Sequence, residues 1–124
     1  MMKKVLVTGA TGFLGKYVVE ELVEYGYQVR AFGRNNKVGQ SLENSSVSFF
    51  QGDLTKADDV LEACKGMDLV VHAGALSTIW GAWEDFYHAN VLGTKYVLEA
   101  CRQTGIQRLV YVSSPSIYAA PKDQ

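Results

Sequence analysis

The sequence predicts an α/β fold, a doubly wound parallel sheet of five strands in the order 3-2-1-4-5. Three observations lead there. Five short apolar runs alternate with stretches of helical period, the signature of strands joined by helical crossovers. The first run, "KVLVT", is too aliphatic to have a wet face and suits a strand covered on both sides. It passes directly into "GATGFLG", which spaces Gly9, Gly12 and Gly15 evenly across a strand-to-helix junction. Right-handed crossovers leave few topologies for such a chain, and the order 3-2-1-4-5 places a ligand beyond the carboxyl ends of strands 1 and 4, where the order reverses.

Each element has a local reason. Lys4–Thr8 is the first strand. From Gly12 to Tyr25, Leu14, Val18 and Leu22, with Val19 and Val23, recur at helical spacing, and Gly26 closes the segment like a residue just past a helix end. "QVRAF" (28–32) is the second strand. The polar stretch 35–46, "NNKVGQSLENSS", reads as a loop with a helical turn at most. Residues 47–51 form the third strand. Lys56–Cys64 is a short helix whose first turn carries Asp58 and Asp59, matched to the positive end of the helix dipole. Residues 68–73 form the fourth strand, Glu84–Thr104 a long helix closed by Gly105, and residues 108–113 the fifth strand.

Composition narrows the function. With 124 residues, 48% hydrophobic and 20% charged, the chain suits one packed domain and not a disordered one. A net charge of −1 offers nothing to nucleic acid or an anionic membrane. After "MMKK" the apolar run breaks within three residues, so neither a signal segment nor a membrane span begins there. Cys64 and Cys101 are far apart in sequence and form no CxxC pair; each reads as a buried free thiol in an amphipathic helix, which fits a reducing, cytoplasmic compartment. No metal-ligating spacing occurs, and the expected ligands are small molecules.

Three glycines cost stability inside regular structure, about 0.5–1 kcal/mol each relative to alanine. A phosphate at the helix N-terminus would offset that cost, because backbone N–H groups and the helix dipole both favour an anion there. Gly9 would allow the tight turn, Gly12 the approach of a pyrophosphate, and Gly15 close packing of helix on strand; a tight turn that binds nothing is the bland alternative. In an NAD site an acidic residue follows about 20 residues after the glycines and bonds the ribose hydroxyls. That position falls near Gly33, and no acid occurs between Glu24 and Glu43. Arg34 stands there instead, suited to a 2′-phosphate that a carboxylate would repel. NADP is therefore expected ahead of NAD.

"TGATGFLG" resembles the TGxxGxxG motif of the extended short-chain dehydrogenase/reductase family, which includes nucleotide-sugar epimerases and dehydratases and the 3β-hydroxysteroid dehydrogenase-like enzymes. The resemblance extends along the whole chain, through Asp53-Leu54, "HAGA" (72–75), "NVLGT" (90–94) and "VYVSSPSIY" (110–118). It implies a Rossmann-type domain over 1–124 without the C-terminal substrate lobe. It implies cofactor contacts from Gly9, Thr11, Gly12, Phe13, Leu14, Gly15, Arg34, Asp53, Leu54, His72, Ala73 and Gly74. It implies a substrate-binding or structural role for Asn90 and Tyr118, and a catalytic hydroxyl at Ser114. "LSTIWGAW" (76–83), with Trp80 and Trp83, suits an apolar substrate wall or packing anchors and is closest to the 3β-hydroxysteroid dehydrogenase-like branch. Neither His72 nor His88 reads as a general base.

The family's acid/base Tyr and its Lys partner form YxxxK on a helix. "YAAPK" spells that pattern with Tyr118 and Lys122, but Pro121 removes a helical N–H and biases Ala120 away from helical geometry, so the two side chains would not share a helix face. The working pair is expected later in a longer protein, which leaves this stretch able to bind cofactor but inactive. The fifth strand would then be a bare edge, which allows pairing with another chain or a homodimer. Two alternatives stay open: a nucleotide-sugar epimerase or dehydratase using NAD, and a dinucleotide-binding or redox-sensing protein without catalysis.

Overall fold

A computed structural model describes residues 3–73 and 83–112, with the side chains of Phe13, residues 83–90 and Val112 excepted. Its elements are β1 (Lys4–Thr8), α1 (Phe13–Glu24), β2 (Gln28–Gly33), α2 (Asn36–Leu42), β3 (Val47–Gln51), α3 (Ala57–Cys64), β4 (Leu69–Ala73), α4 (Trp83–Thr104) and β5 (Leu109–Val112). The five strands form one parallel sheet in the order β3-β2-β1-β4-β5, as expected from the alternation of elements.

Side chains alternate across the sheet and supply two cores. Leu6, Phe32 and Val70 point to the face covered by α3 and α4, where they meet Val60, Ala63, Cys64, Val97, Ala100 and Cys101. Val5, Val7, Val29, Ala31, Val47 and Val71 point to the other face, against Val18, Val19, Leu22 and Val23 of α1. β1 lies in the middle, with Val5 to Thr8 inaccessible to solvent, so its unbroken apolar run follows from two covered faces.

One element departs from expectation. Residues 36–42 form a seven-residue helix, not a loop with a single turn. Asn35 caps it by accepting a hydrogen bond from the Val38 amide at 3.0 Å. Gly39 lies flat under the Phe49 ring, where a Cβ would come within 2.2 Å of ring carbons. The polar sequence carries only Val38 and Leu42 as an apolar pair, of which Leu42 packs on the core, and the cap and the contact ten residues away complete the hold on the helix.

Candidate functional site

The carboxyl ends of β1, β2 and β4 meet the N-terminus of α1, and the glycine stretch occupies that junction. Gly9 follows β1 with φ +67° and presses against β4: a Cβ there would stand 2.7 Å from the Ala73 carbonyl oxygen. Gly15 lies in the first turn of α1 against the loop, and its Cβ would fall 1.9 Å from the Gly9 oxygen. Gly15 thus lets the helix close onto the loop after β1. Gly12 differs from both. It is exposed, its backbone is extended, and a Cβ would meet only the Gly9 oxygen, at 3.4 Å. The chain's own packing accounts for two glycines and gives no reason for the third. No side chain caps α1 and no acid lies in its first turn, so nothing within the helix competes for an anion at its amides.

The loop is also tied to β2. The Ala10 amide donates to the Phe32 carbonyl at 3.1 Å, and the Gly52 amide to the Gly33 carbonyl at 2.9 Å. Thr11 packs its side chain onto Gly33, at the position where the sequence lacks the usual acid. Arg34 is exposed beside it, and among the described residues its guanidinium makes no ion pair. On the same edge, Asp53 accepts hydrogen bonds from the Thr55 amide and hydroxyl at 2.9 and 2.8 Å. These bonds hold its carboxyl below the ordinary range, and the Arg34 and Lys56 charges add to the shift. Leu54 rests on α4, where a Cβ at Gly93 would lie 3.1 Å from the Leu54 Cβ. Gly93 leaves room for this leucine against α4.

His72 ends up facing inward. Only 1% of its surface is exposed, its Nδ1 lies 2.5 Å from the Thr8 hydroxyl, and its Nε2 lies 3.0 Å from the Thr94 hydroxyl. Burial pushes its pKa down to about 4, so the ring is neutral at pH 7. Its imidazole therefore joins β1, β4 and α4. Ala73 is buried beside it and borders the loop through its carbonyl. Thr8 and Thr94 were not singled out from the sequence: their role depends on the register Thr8↔His72 and on how α4 lies over β4.

Leu14 is half-buried in the first turn of α1. Asn90 lies on α4 one turn before Thr94, with its side chain outside the described set. Gly74, Trp80, Ser114, Tyr118 and Lys122 lie outside the described residues, so the proposed catalytic serine and the "YAAPK" segment have no geometry to compare. Among the described residues no group of His, Cys, Asp or Glu is placed to hold a metal, and no helix is long and apolar enough to cross a membrane.

An exposed glycine without a packing reason, an uncapped helix N-terminus and a neighbouring edge with Arg34 fit a dinucleotide whose pyrophosphate lies on α1 and whose adenosine extends over β2. Comparison with known proteins gives the following likenesses. Residues 5–124 match the model of the NAD dependent epimerase/dehydratase family. A 2-alkyl-3-oxoalkanoate reductase of Stenotrophomonas maltophilia is 46% identical over 114 residues, which cover 92% of this chain and 34% of the relative. The sterol-4-alpha-carboxylate 3-dehydrogenase, decarboxylating, of Mus musculus is 41% identical over 115 residues, 93% of this chain and 31% of the relative. The UDP-glucose 4-epimerase of Thermus thermophilus, solved in complex with NAD, superposes with a TM-score of 0.73 at 32% identity, covering 86% of this chain and 36% of that one. The chain spans about a third of the length of the curated relatives it matches.

Proposed function

The chain belongs to the NAD-dependent epimerase/dehydratase family, within the extended short-chain dehydrogenases/reductases, and we propose that it forms the cofactor-binding part of an NADP-dependent oxidoreductase acting on a secondary alcohol or ketone. The observation that carries the cofactor choice is the edge of β2: Gly33 in place of an acid, with the Arg34 guanidinium exposed next to it. Two ribose hydroxyls would find no carboxylate there, whereas a 2′-phosphate would find a cation able to form charge-assisted hydrogen bonds.

When bound, the nicotinamide supplies or accepts the hydride. The chain's own residues do the holding. The α1 amides and the bare Cα of Gly12 receive the pyrophosphate, and Asp53 and Leu54 border the adenine. Ser114 hydrogen-bonds the substrate oxygen. The acid/base Tyr and its Lys come from sequence that follows in the whole protein, so residues 1–124 bind cofactor without turning over substrate. An apolar substrate is favoured by Trp80 and Trp83, and by the two curated relatives, whose names specify an alkyl-chain ketone and a sterol.

Calorimetric titration of the full-length protein with NADP⁺ and NAD⁺ tests the reading. NADP⁺ is expected to bind more tightly, and Arg34→Ala to weaken NADP⁺ by about 10- to 100-fold, the worth of a charged hydrogen bond, with little effect on NAD⁺. Tighter binding of NAD⁺ by the unmodified protein would refute the preference.

A further inference from the structure

We propose that Thr11 is a specificity-determining residue: its branched side chain denies position 33 any side chain and so keeps a carboxylate away from the adenosine ribose. The proposal rests on the dinucleotide reading above and extends it from the residue that attracts a phosphate to the one that excludes an acid.

Gly33 does not have a left-handed backbone, since the described positive-φ glycines are Gly9, Gly26, Gly66 and Gly105. Its conformation would admit any residue, and the end of a buried strand favours one with a side chain. What stands in the way is Thr11. A Cβ built at Gly33 would lie 2.7 Å from Thr11 Cγ2, 2.9 Å from its Oγ1 and 3.3 Å from its Cβ, and these are its three nearest neighbours. Neither partner can easily retreat. The Ala10 amide fixes the loop to the Phe32 carbonyl, and the Gly52 amide holds the Gly33 carbonyl.

Rotation of Thr11 does not relieve the contact. Two of the three staggered positions on its Cβ carry heavy atoms, and both point at Gly33. Turning χ1 by one well moves one of them away and leaves the other in place or brings it there. A serine has one such atom and could swing it clear. The block therefore comes from the branch, and a valine would impose it as well as a threonine does.

The consequence is chemical. An acid at position 33 would accept from both ribose hydroxyls and would repel a 2′-phosphate. With Thr11 in place that acid has no room, and Arg34 is left as the charge at this edge. Thr11 is itself half-buried.

The test uses the full-length protein with two readouts, melting temperature without cofactor and dissociation constants for NADP⁺ and NAD⁺. Gly33→Ala should lower the melting temperature; Thr11→Ser should restore it in the double variant and Thr11→Val should not. Gly33→Asp alone should fold poorly or gain no affinity for NAD⁺, whereas Gly33→Asp with Thr11→Ser should bind NAD⁺ at least about tenfold more tightly than the unmodified protein, the expected gain from a charged acceptor. Equal rescue by Thr11→Val and Thr11→Ser would overturn the steric argument. So would a Gly33→Asp variant that binds NAD⁺ as well as the double variant does. Restored melting without the gain in NAD⁺ affinity would overturn the specificity role. An unmodified protein that prefers NAD⁺ would refute the cofactor reading but leave the melting comparison intact, because that comparison contains no cofactor.

Discussion

At the scale of single residues, the three glycines separate into two kinds. Gly9 and Gly15 touch the backbone of β4 and of the loop, at distances no Cβ tolerates. Gly12 has room and an ordinary extended backbone. Alanine substitutions should therefore split. Gly15→Ala should cost about 3 kcal/mol or more of stability in denaturant unfolding, as overpacking does. Gly12→Ala should cost only about 1 kcal/mol, the loss expected at a helix N-cap, and weaken NADP⁺ at least about tenfold by calorimetry. A Gly12→Ala protein that binds cofactor normally would show that no pyrophosphate approaches there. The glycine spacing already implied a turn at Gly9, a pyrophosphate at Gly12 and close packing at Gly15; the particular backbone atoms that come to lie beside Gly9 and Gly15 were not legible there, because they depend on how β4 and the loop assemble.

At the scale of elements, the recognisable ones owe their form to local signals. β1 is a β-branched aliphatic run, and α1 carries an apolar face that ends at Gly26 with φ +91°. α2 escaped detection because its apolar face is only Val38 and Leu42, and its cap and its Gly39–Phe49 contact supply the rest of its support. The joint between β1, β4 and α4 is a buried imidazole, with pH consequences. Burial lowers His72 from 6.5 to about 4, so between these values the unfolded chain takes up a proton that the native state refuses. Stability should be full above about pH 6.5, decline as pH falls, and stop declining through this group below about 4. Between pH 7 and pH 5 the loss due to His72 should be about 2 kcal/mol, at most about 1.4 kcal/mol per pH unit. Urea unfolding of the unmodified protein and of His72→Gln at both pH values measures it. Identical pH dependence in the two proteins would remove His72 from the account.

At the scale of the whole molecule, the sheet separates two cores, and the α3/α4 side holds both cysteines. They are 37 positions apart in the sequence yet share one cluster. Burial, with the neighbouring Cys101 as a second cause, pushes the Cys64 thiol up to about 12, and burial raises Cys101 as well. Neither offers a thiolate at neutral pH, so iodoacetamide should label both only as fast as the domain unfolds and within minutes in denaturant. Rapid labelling of the native protein would contradict this packing. The β5 edge of the sheet is less covered: Val91 and Leu98 of α4 and Tyr111 of β5 remain exposed, beside a strand that among the described residues pairs only with β4.

From the chain alone come the alternation of strands and helices, the strand order, the glycine junction and the missing acid before Arg34. These rest on periodicity, composition and spacing, which operate over a few residues and a small set of allowed crossovers. The fold decides what those signals leave open: that Gly9 meets the Ala73 carbonyl, that His72 turns inward between Thr8 and Thr94, that Thr11 covers Gly33, and that Cys64 meets Cys101. Each of these pairs residues more than twenty positions apart, or depends on which side of a buried strand a side chain leaves. Such choices follow from strand register and helix placement, and they exist only once the sheet has assembled.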